Sequence, residues 1–401
     1  MPVRTTPLPK RPDKFDQAEL QAVAAALDKN ELWYWQEGSV VAEALRKAAA
    51  RFQAPYAVAT SSGTASIHVA MAAARLQPAT EVITSPITDI GTINPILYQN
   101  LIPVFADVDP DTGMPTPEHI EAAITERTGA VLIVHLTGCP ADLEPIARLC
   151  ADRNLVLIED CAQGLGATYQ EKSIGTFGRF GCFSLNDQKH ITSGEGGFVL
   201  VQNEEDFYLC HNYADKYYDR HKKGVRLEAL APNYRMSEID GALFGVQLDK
   251  LDRIVAARVK LGEDLSHRVA QIPGLIPQPR PNKSVATYFF LLLRIDTDVL
   301  TCTRDQFLAD INAEGLSARA AYVPVPIYRS PYFRNKSFFP GGIWPAEIVS
   351  GLTYDYTAID LPGAELAVGT GITLTLHEGF TAADIDDYVE GLTLVADRYR
   401  K

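Results

Sequence analysis

The side chains with most to offer chemically are gathered in Ser184-Leu-Asn-Asp-Gln-Lys189-His-Ile-Thr-Ser-Gly194-Glu-Gly-Gly197. Apolar residues Phe180, Cys182 and Phe183 precede this stretch, and Phe198-Val-Leu-Val201 follows it. Flanks of that kind put Lys189 in a turn between buried elements. Burial disfavours an ammonium ion, so a lysine in that setting has a lowered pKa and becomes a nucleophile toward carbonyls, which is the chemistry of Schiff-base formation. The glycines let the backbone pass close to a flat ligand, and the Ser184 hydroxyl can donate to a phosphate. The bland alternative is a glycine-rich hairpin whose lysine points into water, and other stretches must decide between the two.

One such stretch is Leu155-Val-Leu-Ile-Glu159-Asp160, a strand-like run that ends in two carboxylates before Cys161-Ala-Gln163-Gly164. Ligands of open α/β sheets sit at the carboxyl ends of the strands, which is where Asp160 falls. A carboxylate there can hold a ring nitrogen protonated, so that the ring takes up the electrons left when a substrate loses a proton. Gln163 can donate to a ring oxygen. The alternative is a strand-end acid that caps a turn. A second stretch is Tyr56-Ala-Val-Ala-Thr60 running into Ser61-Ser62-Gly63-Thr64-Ala65, with Ile67, Ala70, Met71 and Ala74 keeping a helical period. Strand, tight turn and helix start together make an anion site, since free N–H groups and the helix dipole converge there. An ordinary N-cap is the competing reading.

These residues need a scaffold, and the order of elements supplies one. The runs at 81–84, 102–107, 130–136 and 155–160 read as strands buried on both faces, which implies an α/β fold with a mostly parallel sheet flanked by helices. His135 ends one of them, as a satisfied core histidine or a functional one. A helix is expected from Phe15 to Lys29, opened by Asp16, with apolar residues at 15, 20, 23, 24 and 27, and another from Val40 to Phe52. Between them, residues 31–38 form an aromatic loop. The tyrosine-rich and basic residues 211–224 read as a polar loop, and Ser237 opens a helix that reaches toward His267, with room for a break. The proline-rich residues 272–281 mark a boundary between a large domain, residues 1–271, and a small C-terminal α+β domain, residues 272–401. In the latter, 287–295 and 371–376 read as strands, and Thr381-Ala-Ala-Asp384 as the capping box of a last helix.

Composition narrows the function classes. The 401 residues carry a net charge of −13, which argues against nucleic acid as the main partner. The first residues lack the apolar core of a signal peptide and no run approaches membrane-spanning length, so a cytoplasmic protein is expected. Six cysteines without paired or metal-type spacing read as reduced core thiols, and no metal site is expected.

Taken in order, the motifs resemble those of the DegT/StrS-type sugar and aminocyclitol aminotransferases, fold-type-I enzymes that use pyridoxal 5'-phosphate. The resemblance runs from about Phe15 to the final helix and rests on Ser62-Gly63-Thr64, Pro103-Val-Phe-Ala-Asp-Val-Asp-Pro110, Glu159-Asp160-Cys-Ala-Gln163, Ser184 with Lys189, Gly194-Glu-Gly-Gly197 and Asn233-Tyr-Arg235. It implies that Lys189 carries the cofactor and shuttles a proton, that Asp160 pairs with the pyridine nitrogen and that Gln163 contacts the ring oxygen. Gly63, Thr64 and Ser184 would bind the phosphate, joined by Asn233 from the partner subunit of a homodimer. The activity it implies is transfer of an amino group from glutamine or glutamate to a keto-sugar, free or nucleotide-linked, or a keto-cyclitol. Asp89 departs from the pattern, since many relatives have an aromatic ring against the cofactor there. Either another residue covers the ring, or that face is open and polar. Dehydration or elimination on the same fold, or a non-catalytic regulatory role, are the alternatives; dehydratase relatives carry His in place of the lysine, so Lys189 favours transamination.

Overall fold

The computed structural model describes residues 1–33, 38–220 and 228–401. Its main sheet has seven strands: β1 Tyr56–Thr60, β2 Glu81–Thr84, β3 Ile102–Phe105, β4 Thr128–Val134, β5 Val156–Asp160 and, after a ribbon of β6 Thr168–Tyr169 and β7 Lys172–Ser173, β8 Phe180–Ser184 and β9 Gly197–Val201. Their order is β1-β9-β8-β5-β4-β2-β3. From β3 through β2, β4 and β5 to β8 each neighbouring pair is parallel, and β9 lies antiparallel between β8 and β1.

Alternation along the strands feeds two cores. Val58, Ile158, Cys182 and Val199 face one side, packed with α3 Gly63–Ala73, while Ala57, Leu157, Phe183, Phe198 and Leu200 face the other with α2 Val40–Arg51 and the long helix Glu238–Val269. Phe183 stacks on Phe198 at 4.6 Å between centroids, with the rings 2° from parallel. Truncating a ring buried that completely costs about 3–5 kcal/mol. All of β8 is buried, so the strand that delivers the Lys189 turn is a rigid base. A second, antiparallel sheet follows, built from β10 Leu275–Pro277, β12 Leu291–Ile295, β14 Gly371–Leu374 and β13 Ala318–Ala320, in that order, while β11 Ser284–Val285 pairs back onto β6. Among the described residues, no helix is long and apolar enough to cross a membrane, and all six cysteines are free and buried.

Several expectations need correction. The helix Gln17–Asp28 forms behind an Asp16 capping box, but its expected apolar face is not its buried one: Leu20 and Leu27 are exposed, and Glu19 is buried. Glu19 turns inward because Gln247 and Lys250 hold its carboxylate, at 2.7 and 2.8 Å. The helix opened by Ser237 runs unbroken for 32 residues. Only Leu291–Ile295 of the 287–295 run is a strand; Tyr288 has φ of +49°, and the amides of Thr287 and Phe289 bond to Gly138 and Thr137 instead of a neighbouring strand. That bend carries Phe289 to the Lys189 side chain. Residues 211–214 of the expected polar loop belong to the helix Glu204–Ala214, while 221–224 lie outside the described residues, as do 34–37 of the aromatic loop.

Candidate active site

The carboxyl ends of β1, β5 and β8 open into a cleft of about 310 Å³. Gly63, Thr64, Asp89, Asp160, Gln163, Ser184 and Lys189 all line it. Asn233 does not. It is exposed, its backbone bridges to Asp215, and its side-chain oxygen accepts from the Arg235 amide at 3.4 Å.

One wall is the start of α3. Ser62 caps the helix by accepting from the Ala65 amide at 3.0 Å, so the Ser-Gly-Thr turn is an N-cap, and it borders the cleft. The amides of Gly63 and Thr64, first in the helix, have no carbonyl within it to serve. A Cβ on Gly63 would stand 2.7 Å from that of Ser184, so glycine is what lets this turn close against the end of β8. Together the amides and the Thr64 and Ser184 hydroxyls make a neutral, donor-rich pocket of the kind that takes a phosphate.

The floor is Asp160. Its Oδ2 accepts from the Thr92 hydroxyl at 2.7 Å, its Oδ1 from the Ala162 amide at 3.0 Å, and Thr92 is itself bonded to Thr88 at 2.7 Å. Burial pushes this carboxyl above the usual range, opposed by those two hydrogen bonds and by Lys189. A buried carboxylate with so little compensating charge is stabilised further by a cationic N–H. Gln163 is buried too. Its Oε1 accepts from the Thr137 amide at 2.7 Å; because an amide can only donate, the oxygen must face Thr137, which leaves the NH₂ for the cleft.

Lys189 stands in a turn held by its own backbone. Its amide bonds to Asn186, the Leu185 amide to Gly196 and the Ser193 amide to Leu185. Its Nζ lies 4.7 Å from the Phe289 ring centroid. Burial lowers its pKa below the ordinary lysine value, against the pull of Asp160 and then Asp89, and so favours the free amine.

Asp89 caps the helix Ile90–Tyr98 by accepting from the Gly91 amide at 2.7 Å, and is exposed to the cleft. Sequence reasoning missed Thr92 and Tyr322. Thr92 sits in the first turn of the helix that Asp89 caps, and Thr88, ahead of the cap, bonds to its hydroxyl, a pairing that no helical period marks. Tyr322, just beyond β13, is the aromatic side chain among the described residues lining the cleft, and burial followed by Asp89 and Asp160 raises its phenol pKa. Nothing local in the sequence marks it. His135 is a satisfied core residue: Nε2 faces Glu159 at 3.1 Å and Nδ1 accepts from the Ala141 amide. Cys161 completes a buried trio with these two, but Glu159 already accepts from the amides of Gly175, Phe177 and Gly178.

The model of the DegT/DnrJ/EryC1/StrS aminotransferase family matches residues 13–393. The chain belongs to this family. A putative L-glutamine:3-amino-2,3-dideoxy-scyllo-inosose aminotransferase of Micromonospora echinospora is 31% identical over 87% of this chain and 84% of its own. A GDP-perosamine synthase of Caulobacter vibrioides is 29% identical over 95% and 99%. An aminotransferase from Psychrobacter cryohalolentis has the same fold, with a TM-score of 0.84 at 29% identity over 98% of this chain and 100% of that one. As a DegT/DnrJ/EryC1/StrS member the protein is a pyridoxal-phosphate aminotransferase. The donor set fits that cofactor: a desolvated amine, a buried carboxylate and an uncharged anion cradle share one cleft.

Proposed function

We propose that the enzyme moves an amino group from glutamine or glutamate to a keto-cyclitol or keto-sugar, in the making of an amino sugar or aminocyclitol. The convergence of Lys189, Asp160 and the Gly63–Ser184 cradle in one cleft carries the reading. The names of the two curated relatives, one a glutamine-dependent cyclitol enzyme and one a GDP-sugar enzyme, support both acceptor classes. When bound, pyridoxal phosphate supplies a carbonyl that exchanges amines and a ring that accepts electrons as a proton departs. Lys189 would hold that carbonyl, and as the free amine it would carry a proton between substrate and cofactor carbons. Asp160, fixed by Thr92, would keep the pyridine nitrogen protonated, Gln163 would donate to the ring oxygen, and Gly63, Thr64 and Ser184 would hold the phosphate. A screen of donors and keto acceptors, followed by the cofactor's absorption change, tests the assignment. Turnover with none of these compounds would remove it.

Asp89 takes two roles in this scheme, helix cap and polar contact to the acceptor, and two variants separate them. Asn caps as well as Asp, so Asp89→Asn is expected to keep the melting temperature while raising the acceptor KM severalfold; Asp89→Phe also loses about 1 kcal/mol of stability. Unchanged acceptor kinetics in both would leave Asp89 a cap alone.

Asn233 lies outside the cleft of its own chain, and we assign it to the phosphate site of a twofold partner. Chains carrying Lys189→Ala and chains carrying Asn233→Asp, which sets a carboxylate against the phosphate, are each expected to be inactive alone. In a hybrid dimer one site inherits both defects and the other neither. Random reassortment of equal amounts then restores about a quarter of the wild-type sites. A hybrid isolated by distinct tags that stays as inactive as its parents would place Asn233 outside the site.

A further inference from the structure

The turn that carries Lys189 is gripped from outside. Arg11, in the arm ahead of the first helix, donates from Nη1 to the Gln188 carbonyl at 3.1 Å and from Nη2 to the Lys189 and His190 carbonyls at 2.7 and 3.0 Å. Its Nε pairs with Glu378 at 3.2 Å. The other oxygen of Glu378 is held at 2.8 Å by Arg258, which is 2% exposed and spends Nη1 on the carbonyls of Tyr288 and Leu376. Pro9 is tied down beside it, its carbonyl accepting from His377 Nε2 at 3.1 Å. The arm is therefore anchored to the long helix and to the segment after β14, neither of which lines the cleft.

We propose that Arg11 is a positioning residue for Lys189, a guanidinium clamp that fixes the lysine's orientation by holding three consecutive carbonyls at once. Each peptide unit is planar, so fixing the carbonyls on both sides of Lys189 fixes the direction in which its side chain leaves the backbone. That direction takes Nζ against Phe289 at the wall of the cleft. The planar fork of arginine can serve several acceptors together, whereas an ammonium is a point charge. This inference rests on the reading of Lys189 as the cofactor lysine.

Full-length Arg11→Gln and Arg11→Lys proteins test it by two independent readouts. In the cofactor-free proteins, the pH dependence of Lys189 labelling by an amine reagent, followed by peptide mapping, reports how well its amine is desolvated. The charged groups facing it, Asp160 and Asp89, and its neighbour His190 are unchanged across the series. For Arg11→Gln the labelling midpoint is expected to move up toward the ordinary lysine value. In the loaded enzyme kcat is expected to fall about 10- to 100-fold, as for a displacement of about 1 Å at a reacting group, with the donor KM within about twofold. Arg11→Lys should fall between. A wild-type labelling midpoint and wild-type kcat in Arg11→Gln, with the cofactor still reduced by borohydride onto Lys189, overturns the clamp alone. Reduction onto a different lysine in the unmodified enzyme overturns the underlying reading instead. Should Arg11→Gln not fold, Arg11→Lys decides, and a Lys189 midpoint and kcat equal to wild type overturn the proposal.

Discussion

Replacing Lys189 by alanine is expected to lower turnover by at least about 10⁴-fold while the fold persists, since both covalent attachment and proton transfer depend on one amine. The structural loss is small: the side chain packs against the Phe289 ring, and the turn is held by backbone bonds. Lys14 makes the prediction sharp. Burial first, then Arg11, lowers its pKa to about 8, so its amine too is shifted toward the free base, yet it lines no part of the cleft and sits 3.6 Å from Asp187. Borohydride reduction and peptide mapping should place the cofactor on Lys189. Label on Lys14 would mean that desolvation, not position, selects the amine.

Asp160→Asn is expected to slow the donor half-reaction by about 10²–10⁴-fold and to leave the protein folded. An asparagine keeps both local bonds: its oxygen accepts from the Ala162 amide and its NH₂ donates to Thr92, whose hydroxyl then turns toward Thr88. What it loses is charge, and a neutral amide cannot keep a pyridine nitrogen protonated. Stopped-flow measurement of the half-reaction isolates this step from acceptor binding. A rate within a fewfold of wild type would show that Asp160 does not govern the ring nitrogen.

The parts of the site that were legible are those in which chemistry and local conformation coincide. Ser62-Gly63-Thr64 is a strand-to-helix turn whichever ligand it meets, and Asp160 stands at a strand end by the apolar run that precedes it. Apolar runs likewise gave the sheet, because strands buried on both faces leave little choice of residue. Thr92, Tyr322 and Arg11 reach the site only through packing of distant elements, so no local pattern announces them. Glu19 and Leu20 misled for a related reason: periodicity assumes that apolar residues are the buried ones, and a carboxylate paired with a buried Gln247 and with Lys250 reverses it. Asp89 read as a vacancy where a ring would stack, and its duty as a helix cap explains why an acid suits the backbone there.

The arm that clamps Lys189 is fastened at its far end by Arg4, which bonds to Asp384 and Asp387 in the last helix, Ala382–Tyr399, across 380 residues of sequence. A ribosome adds about 5–20 residues per second, so roughly 20–80 s pass between the synthesis of the arm and that of its anchor. The main sheet has all its strands by Val201 and can form during that interval; the lysine turn it carries acquires its fastening last. The Lys189 turn is thereby fastened only once the helix Ala382–Tyr399 has been made, after the scaffold around it has been built.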